Sequence, residues 1–151
     1  MDCPICTWTP ADVQYIFLYE TACWRVCLAP NQSLVGRCVI ALKRHAGDLA
    51  DLTSEEVLDF WDVIRRVEQA LRRAFDTTLF NWSCYMNLAY RENSPTPHVH
   101  WWAVPRYNHP VTIGGTVFED PQFGSPYDHS CWQEITPEIR AELVKRITAA
   151  L

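Results

Sequence analysis

The chain has 151 residues, 48% of them apolar and 21% charged, with a net charge of −5. That length suits one domain able to bury its own core. The acidic balance excludes a broad phosphate-neutralising surface for long nucleic acid, though not a small phosphate pocket. No run approaches the roughly 18 apolar residues of a membrane span. The first ten residues lack a charged n-region and an apolar h-region, so the expectation is an intracellular, cytoplasmic protein without membrane contact. There are seven cysteines. An odd number without a secretion signal argues against a disulfide framework. Cys38 and Cys84 sit in apolar, strand-like runs and read as small buried hydrophobes.

In chain order, Trp24–Leu28 and Arg37–Lys43 read as strands joined by a hairpin-type connection over Ala29–Gly36. Thr53 and Glu56 form a capping box, and Val57, Phe60, Trp61, Ile64, Val67 and Leu71 recur at helical spacing. The pattern predicts an amphipathic helix over about 53–75, with Arg65, Arg66, Arg72 and Arg73 solvated. Leu79–Leu88 is a further strand candidate, and Tyr90–Pro97 is a polar, proline-broken loop. His98–Arg106 is the next strand, with His98, His100, Trp102 and Val104 on one face. Residues 108–133 read as a long irregular loop; its Phe118–Gly124 and Tyr127-Asp128-His129 stretches could form a lid carrying substrate groups, but the favoured reading is that Asp120, Pro121 and Gly124 shape turns. A last helix is predicted over about 137–150, with Thr136 as cap, Pro137 at its first position and Ile139, Leu143 and Ile147 as its stripe. Strands outnumber helices and do not alternate with them, so the class is α+β.

Three local features carry possible chemistry. His98 and His100 stand two apart on one strand face, about 6.6 Å by backbone rise. They can chelate one metal, serve two sites, or simply be hydrogen-bonded in a half-buried strand. Cys3 and Cys6 have the spacing of two zinc thiolates, with two ligands still to find. Alternatively they are free thiols at a terminus. His45 ends the basic run Lys43–Arg44–His45, where an ordinary turn histidine is equally at home.

The ordered set of these features resembles the histidine triad superfamily of nucleotide hydrolases and transferases. The resemblance spans Cys3 to about Arg106. Gly36–His45 followed by Asp48–Glu56 is similar to that family's strand, basic-His turn and helix entry. His98-Val-His100-Trp-Trp-Ala-Val-Pro-Arg106 is similar to its signature strand, and Asn87 precedes it at the spacing of the family's active-site asparagine. The resemblance implies a single domain over 1–151 with an antiparallel sheet of about five strands and two main helices. It also implies a homodimer and a nucleotide or nucleoside-phosphate substrate. It implies a structural zinc on Cys3, Cys6, His45 and His98, a closed tetrahedral set. His100 matches the nucleophile. One ring nitrogen would attack the α-phosphorus while the other keeps its proton on a backbone carbonyl, giving a covalent nucleotidyl-histidine that water or another acceptor resolves. Because phosphoryl transfer is mostly positioning and charge stabilisation, Asn87, Ser94, backbone N–H groups of 90–97 and Arg106 are candidate phosphate ligands.

The departures matter too. Trp102 stands where the family has its third histidine, either filling core or acting as a stacking wall and N–H donor to phosphate. Asn93-Ser94-Pro95 replaces the usual Gly-Gln-Ser-type run, and Asn31 stands near the place of the acidic ribose ligand. Two other functions compete with the enzyme reading. One is a nucleotide-binding module that keeps fold and zinc without turnover. The other is a hydrolase with one catalytic metal on both His98 and His100.

Overall fold

The structure is a computed structural model that describes residues 3–9 and 14–151. Seven strands and two main helices follow in the order β1 (Ile16–Glu20), β2 (Trp24–Leu28), β3 (Cys38–Leu42), α1 (Ser54–Phe75), β4 (Leu79–Ser83), β5 (His100–Arg106), β6 (Val111–Ile113), β7 (Thr116–Phe118) and α2 (Pro137–Ala150). The first five strands form one antiparallel sheet in the spatial order β1-β2-β3-β5-β4, and β6 and β7 form a separate hairpin. This is the expected α+β architecture of five strands and two helices. No helix among the described residues is long and apolar enough to cross a membrane.

α1 begins on the predicted capping box. Thr53 Oγ1 accepts from the Glu56 N–H at 3.2 Å, and Glu56 Oε2 accepts from the Thr53 N–H at 2.8 Å. Its buried stripe is Phe60, Val63, Val67, Ala70, Leu71 and Phe75. Val57 and Trp61, counted in the stripe from sequence, are 51% and 61% exposed. A step of 100° per residue carries Trp61 a quarter-turn off the line set by Phe60, Val67 and Leu71. The core lies between α1 and one sheet face, where Phe60 packs on Trp24, Trp82 and Trp101 at ring-centroid distances of 4.9, 5.8 and 4.9 Å. α2 starts as predicted, with Thr136 Oγ1 accepting from the Ile139 N–H, and buries Ile139, Leu143 and Ile147. Arg73, solvated as expected, also donates to the Ala150 carbonyl at the end of α2.

Three elements differ from the sequence reading. β1 was not signalled: Ile-Phe-Leu-Tyr-Glu has no alternation, and a register shift interrupts its pairing with β2 between Phe17 and Tyr19. β4 stops at Ser83 and not at Leu88, because a short 3-10 turn over Asn87–Arg91 replaces its end. Cys84 is therefore only half-buried, whereas Cys38 is fully buried. Residues 108–133 are not wholly irregular, since β6 and β7 form around Gly114 and Gly115, both at positive φ.

The candidate active site

The sheet's second face carries the candidate site. Opposed residues of antiparallel strands share a face. Ala41 lies opposite His100, Val39 opposite Trp102 and Ser83 opposite Trp102, and two positions before Val39, just ahead of β3, stands Arg37. The turn that delivers Arg37 is built on Gln32, which is fully buried. Gln32 donates to the carbonyls of Ala29 and Arg37 and accepts from the Gly36 N–H. Gly36 has φ +86°, and a Cβ there would lie 2.8 Å from Leu71 Cδ2, so only glycine lets the turn close against α1.

Beside the start of β5 the predicted ligands converge. Cys3 and Cys6 are brought together by a turn in which the Cys6 N–H donates to the Cys3 carbonyl. Cys3 Sγ lies 3.3 Å from His98 Nδ1, Cys6 Sγ lies 3.4 Å from His98 Nδ1, and Cys6 Sγ lies 3.4 Å from His45 Nδ1. All four ligand atoms lie within 4.8 Å of one another. Sulfur at about 2.3 Å and nitrogen at about 2.0–2.1 Å from a tetrahedral zinc are separated by roughly 3.5 Å, so the spacing fits that ion. The chemistry of the donors fits as well. His98 Nε2 lies 2.7 Å from the Leu42 carbonyl, which holds the ring proton there and leaves Nδ1 bare toward the sulfurs. Val99 fixes the same corner, donating to the Ala46 carbonyl and accepting from the Leu42 N–H. Arg44 ties the turn to α1, with Nε and Nη2 on the Glu56 carboxylate at 2.5 and 2.8 Å.

His100 stands outside that cluster. Its Nδ1 lies 2.7 Å from the His98 carbonyl, which demands a proton on Nδ1 and leaves the lone pair on Nε2. Burial lowers its pKa, against the opposing effect of that hydrogen bond, which favours the neutral ring. His100 lines a cleft of about 1680 Å³ together with Asn87, Ser94 and Trp102. Trp102 meets the His100 ring edge-on at 6.0 Å and carries the Arg37 guanidinium 4.6 Å from its own ring centroid. It is therefore a cleft wall and not core filling.

Two predicted substrate ligands are not brought to the cleft. Arg106 is 2% exposed and spends its donors within the protein. It reaches Asp120 at 2.6 and 3.0 Å, Asn81 Oδ1 at 3.0 Å, and the Ser125 and Gln122 carbonyls at 2.9 and 2.7 Å. With its fork filled, it has no donor left for a phosphate. Asp120 is thus a charge partner more than a turn former. Asn31 is buried, donating to the Cys131 carbonyl and accepting from the Ser33 N–H, so it does not face a ribose. Conversely, the cleft is lined by Arg37 and Tyr15, which the sequence reading does not single out, and by Tyr127 and His129 of the loop for which a substrate-carrying lid is the less favoured reading. For Arg37 a signal existed, since it alternates with Val39 and Ala41 on the face of the histidine strand. For Tyr127 and His129 the length and composition of their loop were the signal, and the Arg106–Asp120 pair is what folds that segment back.

No protein-family model matches the chain, and no curated protein matches it. Solved structures do. A Zn-bound histidine triad family protein from Mycobacterium smegmatis is 22% identical with a TM-score of 0.62, over 99% of this chain and 92% of that one. A hypothetical histidine triad nucleotide-binding protein from Sulfolobus tokodaii is 14% identical with a TM-score of 0.69, over 98% and 91%. A uridylyltransferase is 17% identical with a TM-score of 0.66, over 98% of this chain and 44% of that one. The chain has the fold of the histidine triad proteins.

Proposed function

We propose that the chain is a member of the histidine triad superfamily that acts on nucleotides. We read it as a nucleotide-phosphate hydrolase or nucleotidyltransferase that attacks an α-phosphorus with His100. The observation that carries the reading is the 2.7 Å contact between His100 Nδ1 and the His98 carbonyl at the edge of a large cleft. It supports the tautomer with its proton on Nδ1, in which the neutral ring offers its Nε2 lone pair, the atom a nucleophile needs. The names of the Sulfolobus protein and the uridylyltransferase support a nucleotide as the ligand.

Cys3, Cys6, His45 and His98 would hold a zinc ion, whose contribution in a closed four-ligand site is to folding. The Mycobacterium neighbour, Zn-bound by its title, supports this. The cluster uses His98 without His100, which speaks against a catalytic metal shared by both imidazoles. His98 then serves architecture, and its carbonyl orients His100. Asn87 and Ser94, exposed along the cleft, are the side chains we assign to the phosphate. Trp102 beside His100 favours a second reading, a module that binds nucleotides without turnover, because an indole donates a hydrogen bond but transfers no proton.

Nucleoside phosphoramidates, dinucleoside polyphosphates and nucleotide sugars, screened for nucleotide release, test the proposal. Release by the wild-type chain and none by His100→Ala, with zinc and fold retained, is the expected result. Binding without release of any of them would leave the module reading in its place.

A further inference from the structure

Arg37 and Arg91 are the arginines that line the cleft, and neither side chain has an acidic partner or a hydrogen bond among those found between the described residues; Arg91 is exposed to solvent, whereas Arg37 is half-buried in the wall. Arg37 stands just before β3, in alternation with Val39 and Ala41, which lie opposite Trp102 and His100. Its guanidinium is stacked 4.6 Å from the centroid of Trp102. Its Nε is buried without a hydrogen-bond partner. The titratable groups that act on it are not carboxylates but the phenols of Tyr127 and Tyr15, both pushed above the ordinary tyrosine range by burial, and burial lowers its own pKa below the ordinary arginine value. A guanidinium presents five donors in a rigid fork. Leaving the Nε of Arg37 desolvated and unpaired costs stability, and covering the face of Trp102 does not call for a charge. Arg106 shows what a structural arginine looks like in this chain, with its fork closed on a carboxylate and three oxygens.

The stack also fixes where Arg37 is. The His100 ring meets the Trp102 indole edge-on at 6.0 Å, so His100, Trp102 and Arg37 form a row: nucleophile, flat wall, fixed cation. A substrate whose α-phosphorus sits at His100 and which runs along this wall brings its next group to the guanidinium.

We propose that Arg37, seated on Trp102, binds the phosphate that follows the α-phosphorus, and so selects nucleotides whose leaving group is itself a phosphate or a longer phosphate chain. This rests on the reading of His100 as the attacking group. The step balances. A bond forms between His100 Nε2 and the α-phosphorus, and the bond from that phosphorus to the bridging oxygen breaks. The bridging oxygen keeps the electron pair and leaves as phosphate, or as the rest of the polyphosphate, on Arg37. Water then attacks the α-phosphorus, the P–N bond returns its pair to Nε2, and the water proton passes to solvent.

The choice of leaving group follows from chemistry. An amine or alkoxide needs a proton as it departs, and neither neighbour in the row can give one: an indole N–H is a donor only, and a guanidinium stays protonated in proteins. A phosphate departs as an anion, and a preorganised cation stabilises the charge that develops on it. Bidentate guanidinium–phosphate contact is also the geometry for which Arg surpasses Lys.

The test is titration calorimetry of the zinc-loaded chain with the four ribonucleoside 5′-monophosphates and the corresponding diphosphates. It uses the wild type, Arg37→Gln, which keeps a shorter polar side chain and removes the charge, and Arg37→Lys, which keeps charge without the fork. The wild type is expected to bind the diphosphate of its preferred nucleoside about 10–100-fold more tightly than the monophosphate, the worth of charge-assisted hydrogen bonds. Arg37→Gln should lose that gain while holding monophosphate affinity within about threefold, and Arg37→Lys should recover part of it. If Arg37→Gln weakens mono- and diphosphate equally, or neither, the proposal is overturned. It is also overturned if both variants lose zinc or fold, since Arg37 is then structural. If no nucleotide binds the folded wild type, it is the nucleotide reading itself that fails, a result distinct from a diphosphate gain that survives Arg37→Gln.

Discussion

The Arg106–Asp120 pair decides whether the segment after β7 is a built wall of the cleft or a loose cover, and Asp120→Asn tests it. Both side chains are almost completely buried, at 2% and 1% exposure, and Asp120 also accepts from the N–H groups of Tyr107 and Gln122. Breaking a buried pair by removing one charge costs about 3–5 kcal/mol, because the survivor stays buried and uncompensated. Arg106 keeps Asn81 Oδ1 and two carbonyls, so the low end, about 3 kcal/mol, is expected. For a chain of this length that is a fall in Tm of about 6–12 °C. Differential scanning calorimetry, with urea unfolding as a second readout, measures it. Arg106→Lys should also lower Tm, since an ammonium cannot serve five acceptor contacts in one plane. A loss below about 1 kcal/mol in Asp120→Asn would refute the reasoning. So would an Arg106→Lys variant that keeps its Tm but loses nucleotide affinity, because that is the behaviour of a phosphate ligand.

Three further outcomes are expected. His98→Ala should lose zinc and unfold at a lower temperature than His100→Ala, because it opens a metal site whose binding energy is folding energy; equal melting points would count against it. Hydrogen bonds from Arg44, opposed by burial and reinforced by the Thr53 N–H, hold Glu56 at about 2, below the ordinary range near 4.3. A depressed carboxylate contributes stability in full above its unfolded value and loses it as pH falls toward the folded one. Urea midpoints should therefore drop between about pH 4.5 and 2 more steeply in the wild type than in Glu56→Gln, and parallel curves would contradict this. Gly36→Ala should destabilise by about 1–3 kcal/mol, from the left-handed φ and the contact with Leu71, with the urea midpoint as its measure.

What sequence could and could not convey follows from the range of each interaction. α1 and α2 were legible because caps and stripes are local: Thr53 with Glu56, and Thr136 with Pro137. β2, β3 and β5 were legible as short apolar runs, and the gaps between Cys3, Cys6, His45 and His98 were legible through the family resemblance, which the 3.3–3.4 Å sulfur–nitrogen contacts match. Arg106 misled because a strand-end arginine near an active site has the same sequence whether it meets substrate or Asp120. Asn31 misled for the same reason, its partner being the carbonyl of Cys131, a hundred residues away. β6 and β7 were hidden among glycines and prolines that equally suit a loop.

The central claim is that His98 serves architecture while its neighbour His100 bonds phosphorus. Intact-mass spectrometry of the zinc-loaded chain, mixed with nucleoside polyphosphates and quenched in base to preserve a phosphorus–nitrogen bond, tests it most directly. The account predicts one added nucleotidyl group, mapped to His100 and missing from a His100→Ala chain that still holds one zinc. A nucleotidyl group on any other residue, or loss of zinc from His100→Ala, would contradict it.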